Sequence, residues 1–208
     1  MPSHLDRFRH VWRELAATGD SVSVEHDLLR RWSEPPRSYH TLAHLDKCLA
    51  DLDAHRALAG DAAVVEAALW FHDAVYDPHA ADNELRSAAL AREVLTNASV
   101  SADRVDRIEQ LVLATRTHET DGSPDTSLLL DLDLSILGSA PDVYADYAVA
   151  IRQEYAWVPE ADYRRKRAAV LQRFLDRPTL FLTKPFQQLY ETQARQNLLT
   201  EIKHLAAR

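Results

Sequence analysis

The spacing of apolar side chains constrains this chain more than any other feature. They recur with a 3.6-residue period along nearly its whole length, and sustained strand alternation appears nowhere. An early stripe runs Leu5, Phe8, Val11, Trp12 and Leu15, with Ser3 placed to cap it. The same period predicts helices over 24–32, 39–58, 61–76, from 82 to about 95, from 102 to 115, and over 127–137, 142–157, 162–175 and 186–207. Pro35-Pro36 and Asp77-Pro78 stop two of them, since proline cannot continue a helical ladder. Gly138 reads as the end of another. The short run 179–183 suits extended backbone, but one such run makes no sheet. The expectation is an all-α fold of roughly ten helices in a single domain over 1–208, a length that suits one sizeable core.

Composition removes several function classes. Only four glycines occur, and neither a GxGxxG nor a Walker pattern is present, so a glycine-rich phosphate loop is not expected. One cysteine, Cys48, cannot form an internal disulfide, which suits a reducing compartment. Met1-Pro2-Ser3-His4 lacks the apolar run of a signal peptide, and no stretch approaches the ~18 apolar residues of a bilayer span. A cytoplasmic protein with no membrane partner is expected. The formal charge of −8 argues against general nucleic-acid binding, although local arginines can still hold one phosphate. The basic run 164–167 reads as a solvated helix face. A homo-oligomer is compatible with everything here.

Chemistry concentrates in one constellation. The apolar run 63–71 ends in the adjacent ionisable pair His72-Asp73. Burying two such groups is costly unless something compensates, and a divalent metal would do so, because imidazole and carboxylate are its usual ligands. Upstream lie His40 and His44, four apart and so on one face of the expected 39–58 helix. Downstream lies the acidic cluster Asp131-Leu132-Asp133. Adjacent side chains diverge by about 100° on a helix. His72 and Asp73 would therefore share an ion only if a second element, carrying His44 and Asp133, met it from another side. A His44, His72, Asp73, Asp133 shell leaves positions open for water and substrate.

The order His44, His72-Asp73, Asp133 resembles the H…HD…D pattern of the HD superfamily of metal-dependent phosphohydrolases. The finer wording is similar to one bacterial subfamily of predicted HD-domain hydrolases. It is carried by Tyr39-His40-Thr41-Leu42-Ala43-His44, by Trp70-Phe71-His72-Asp73-Ala74-Val75-Tyr76, and by Asp82-Asn83-Glu84 with Ser87-Ala88. Leu130-Asp131-Leu132-Asp133-Leu134-Ser135-Ile136-Leu137-Gly138 and the late segment 191–198 complete it. The resemblance spans roughly residues 5–201 and implies a helical metal-dependent phosphohydrolase acting on a small phosphate ester, with a nucleotide among the candidates. It implies one divalent ion (Mn, Fe, Co, Ni, Zn or Mg) and Asp133 as the ligand in D-x-D, leaving Asp131 outside the shell. Tyr76 stands where many relatives place a water-activating glutamate, so that role falls to another group, with Glu84 the candidate. Asp73, Glu84, His118 and Arg116 are the expected catalytic residues, and Arg37, Arg116 and His40 the expected substrate contacts. Two rivals belong to other classes. A di-iron oxidative enzyme needs further histidines, for which only His79 and His118 are in range. A non-catalytic binding domain would keep a saturated metal for stability.

Overall fold

The computed structural model describes residues 4–207, with the side chain of Leu5 excepted. Ten α-helices, two 3₁₀ turns and no strand occur among them, so the fold is all-α. Ser3 as a cap and Leu5 in the first stripe lie outside the described residues. The rest of that stripe, Phe8, Val11, Trp12 and Leu15, is buried. No helix among the described residues is long and apolar enough to cross a membrane. The chain packs as two compact units, Met1–Leu130 and Asp131–Arg208.

The first unit holds α1 (His4–Glu14), α2 (Ser21–Trp32), α3 (Leu42–His55), a 3₁₀ turn at Arg56–Leu58, α4 (Ala62–Phe71), α5 (Asn83–Asn97) and α6 (Ala102–Ala114). The helix α7 (Pro124–Leu134) starts in this unit and runs through the boundary. The apolar run is α4, and every residue from Ala63 to Phe71 is buried. It packs against α1, α3, α5 and α6. Glu66, in the middle of it, is buried because Arg7 Nε donates to it at 2.9 Å and Arg56 Nη1 at 3.0 Å. Pairing of this kind offsets the cost of burying a carboxylate.

Three of the helix boundaries that depart from the sequence expectation have a local reason. The helix expected from residue 24 starts at Ser21, because the Asp20 carboxylate accepts from the N–H groups of Val22 and Ser23 at 3.0 and 3.2 Å. The helix expected from 39 starts at Leu42, with Thr41 extended at φ −112°, ψ 179° as its cap. His40 is therefore not on the same helical face as His44, and the i, i+4 reading of that pair does not hold. The helix expected to reach 76 ends at Phe71. Its last carbonyls are taken by side chains: Trp32 Nε1 donates to Trp70 O at 3.0 Å, and His72 Nδ1 lies 2.8 Å from Leu69 O.

The second unit continues from the end of α7 into a 3₁₀ turn (Ser135–Gly138), α8 (Pro141–Glu154), α9 (Glu160–Leu175) and α10 (Lys184–Ala206). The long α10 packs against α8, α9 and the 3₁₀ turn. Gly138 is required by contact as much as by helix termination. A Cβ there would press into the Tyr190 side chain and lie 2.8 Å from the Tyr190 Cα and O. The run 179–183 forms no strand. Its N–H groups bind side chains instead: Leu180 and Phe181 donate to Glu191, and Leu182 and Thr183 to Asp131. The basic run 164–167 is only half solvated. Arg164 donates to the carbonyls of His204 and Leu205, and Arg167 to the Glu201 carboxylate at 2.8 Å. Residues three apart share a helix face, which turns these two toward α10 and leaves Arg165 and Lys166 exposed.

Candidate metal centre

Because α4 stops at Phe71, His72 and Asp73 sit in the turn that follows it rather than on a regular helix. His72 itself keeps helical dihedrals (φ −56°, ψ −39°) and donates its N–H to Ala68 O at 2.8 Å. His72 Nε2 lies 3.2 Å from Asp73 Oδ2 and 3.3 Å from His44 Nε2. His44 and His72 are both buried, and Asp73 is half-buried.

The hydrogen bonds around the two rings select their chemistry. Leu69 O can only accept, so His72 carries its proton on Nδ1, and its Nε2 lone pair faces His44. His44 Nδ1 lies 3.0 Å from Tyr39 Oη, which can accept from it. In that tautomer two lone pairs face each other across 3.3 Å, an arrangement that a bound cation would satisfy; with Tyr39 donating instead, His44 Nε2–H donates to His72 Nε2. Two ligands held at about 2.0–2.1 Å by a tetrahedral ion stand about 3.3 Å apart, so His72 Nε2 stands at ligand-to-ligand distance from one imidazole nitrogen and from one carboxylate oxygen. The donor set, two imidazole nitrogens and a carboxylate, suits a divalent transition metal.

A layer of side chains fixes this trio. The Tyr39 ring lies 4.8 Å from that of His44, tilted by 43°, and Trp32 lies 5.3 Å from the His72 ring. His40, placed on the connector, packs its ring at 4.4 Å on Tyr76 and 6.1 Å from His44. Ser87 Oγ accepts from Val75 N at 3.0 Å and donates to Val75 O at 3.2 Å. Asn83 does the same for Asp77, through Oδ1 to its N–H and Nδ2 to its carbonyl. The Asn83 and Ser87 positions of the motif are thus clips that hold the segment after the His-Asp turn.

Arg37, expected as a phosphate contact, is turned elsewhere. Its side chain is fully buried, and Nη1 donates to the carbonyls of His40 at 2.9 Å and Asp73 at 2.8 Å. Its guanidinium lies between Trp32 and Tyr76, 5.4 and 5.3 Å from the ring centres. Glu84 is half-buried in the first turn of α5. Arg116 is exposed just past α6. His118 sits in left-handed backbone, φ 52°, and donates its N–H to Ala114 O, a conformation histidine tolerates better than most residues.

The two aspartates of D-x-D differ in what they hold. Asp131 is buried, and its carboxylate accepts from Leu182 N, Thr183 N and Thr183 Oγ1, each at 2.7 Å. Burial pushes this carboxyl above the usual range, against the pull of those donors. Asp133 is half-buried on the last turn of α7. At the other end of α7, Asp125 accepts from Gly60 N at 2.6 Å and pairs with Arg107 at 2.7 Å.

Sequence reasoning missed the supporting residues. Tyr39 and Tyr76 stand in the quoted motifs and Trp32 at the end of an expected helix, and only the third dimension shows that they lie beside the histidine rings. Comparison of the chain with family models, curated proteins and solved structures found no match.

Proposed function

We propose that the chain is a metal-dependent phosphohydrolase of the HD superfamily acting on a small phosphorylated metabolite, with a nucleotide among the candidates. The observation that carries this reading is the pair of 3.3 and 3.2 Å separations joining His44, His72 and Asp73 around His72 Nε2. The resemblance adds Asp133 to the proposed shell, in the order His44, His72-Asp73, Asp133. The helix that carries it is anchored at its start by Asp125 and by buried Leu128, Leu129 and Leu130. When bound, a divalent ion supplies Lewis-acid activation of water and of a phosphoryl oxygen.

The protein's own groups supply the rest. Asp73, half-buried and beside His72, handles the proton of the attacking water. Glu84 takes the position of the water-holding carboxylate that Tyr76 does not provide. Arg116 balances charge developing on the phosphoryl group, with His118 as acid or base for the leaving oxygen. His40 contacts substrate from the connector side. Metal analysis of the purified chain, with a screen of nucleotides and sugar phosphates in Mn, Co, Mg, Ni and Zn, tests this. About one ion per chain and phosphate release abolished by His72→Ala are expected. A folded chain that takes up none of these metals would sink the proposal, and about two irons per chain would move it to the oxidative class.

A further inference from the structure

We infer that Arg37 is a positioning residue for the metal centre, holding the His72-Asp73 turn in the geometry that presents ligand atoms, and is not a phosphate contact. The inference rests on the metal reading above and concerns which side chain builds that site. The Asp73 and Ala74 carbonyls leave α4 with no helical partner, and the His40 carbonyl precedes the α3 cap. Arg37 reaches all of them: Nη1 bonds His40 O at 2.9 Å and Asp73 O at 2.8 Å, and Nη2 lies 3.4 Å from Ala74 O. One planar fork thus ties the backbone just before His44 to the backbone of Asp73 itself. The two sides of the ligand cluster are joined by a rigid group that solvent does not reach.

The chemistry requires arginine. Its several N–H donors lie in one plane with fixed directions, whereas an ammonium is a point donor on a flexible stem. The plane also stacks between Trp32 and Tyr76, contacts an ammonium cannot reproduce over both rings at once. Trp32 Nε1 in turn caps the Trp70 carbonyl, so the arginine and the end of α4 share one support.

The test is a metal-affinity comparison on the full chain, using Mn²⁺, Co²⁺ and Zn²⁺ in competition with a chelator dye. Arg37→Lys keeps the charge and loses the fork, and Arg37→Gln keeps donors and loses the charge. Both should raise the metal Kd about 10–100-fold, the usual effect of removing a group that orients metal ligands. Arg7→Lys serves as the comparison, because Arg7 pairs with Glu66 and Asp53 away from the turn. It should lower Tm yet leave Kd within about twofold of the parent, which a purely structural role for Arg37 would also predict for Arg37→Lys. Parent-like metal affinity in both Arg37 variants overturns the inference. So does unchanged metal affinity together with weakened competition by inorganic phosphate, the signature of a direct phosphate contact. The metal reading fails separately: a parent chain that binds no metal, or His72→Ala binding as tightly as the parent, removes the site itself and this inference with it.

Discussion

At the scale of single residues, the two aspartates of the D-x-D turn carry the sharpest prediction. Asp131 accepts three hydrogen bonds from the 182–183 segment, so Asp131→Ala leaves buried donors unpaired. It should destabilise the chain by roughly 1.5–3 kcal/mol while keeping metal affinity. Asp133→Ala should do the reverse, losing metal with little change in Tm once the metal is removed. Chelator titration alongside thermal melts separates the two, and interchanged results would reverse the assignment. Glu25 gives a second prediction. It is 1% exposed on α2, and neither carboxylate oxygen has a hydrogen-bond partner. Burial raises its carboxyl above the ordinary range, opposed by charges such as Arg9. The folded state therefore binds this proton more readily than the unfolded chain. Its contribution is fully present at acid pH and is lost as pH rises through the folded value. Glu25→Gln should melt about 2–4 °C higher than the parent at neutral pH, a gain of about 1 kcal/mol. The two curves should converge near pH 4, where the parent glutamate is also neutral. Equal melting temperatures across the range would show that the carboxylate is satisfied in solution.

At the scale of elements, the ends of helices decide the site. The end of α4 is set by Trp32 and His72 capping its last carbonyls, and the start of α3 by Thr41 with Arg37 holding the His40 carbonyl. Both ends lie within the aromatic layer around His44, so a change in helix length by one turn would move His44 or His72. Gly138 plays a comparable part in the second unit, where the 3₁₀ turn approaches the Tyr190 backbone on α10. Gly138→Ala should destabilise the chain by roughly 1–3 kcal/mol, because the obstacle is backbone and cannot swing aside. Urea denaturation measures this. An unchanged midpoint would mean that the turn and α10 separate without penalty. The helices themselves were legible because amphipathic periodicity is a local property. Their ends were less so, because a carbonyl can be capped by a side chain distant in sequence, as Trp32 caps Trp70.

At the scale of the molecule, a metal that binds only the native state couples the ligand set to global stability. At a metal concentration about 100-fold above Kd, native-state binding adds about 2.7 kcal/mol. For a chain of 208 residues that is a rise of roughly 5–11 °C in Tm. A thermal-shift series with Mn²⁺, Co²⁺, Ni²⁺ and Zn²⁺ should show it in the parent and not in His72→Ala. A shift of equal size in both would place the metal elsewhere.

The sequence by itself determined the all-α class and the run of ten helices, because burial at a 3.6-residue period needs no knowledge of partners. It also marked His72-Asp73 as anomalous, since an apolar run ending in two ionisable residues stands out wherever it sits, and the order His44, His72-Asp73, Asp133 supplied the expected ligand set. Only the tertiary structure decided how His44, His72 and Asp73 meet. The pair sits in a turn, His72 is locked in one tautomer by Leu69 O, and its Nε2 is aimed at that of His44. It likewise decided that Asp131 holds backbone and that Arg37 holds the His-Asp turn. The physical reason is the same in each case: which carbonyl or N–H a charged side chain satisfies depends on what lies beside it in space. For Arg37 and Asp73 the partners are 36 residues apart in the chain.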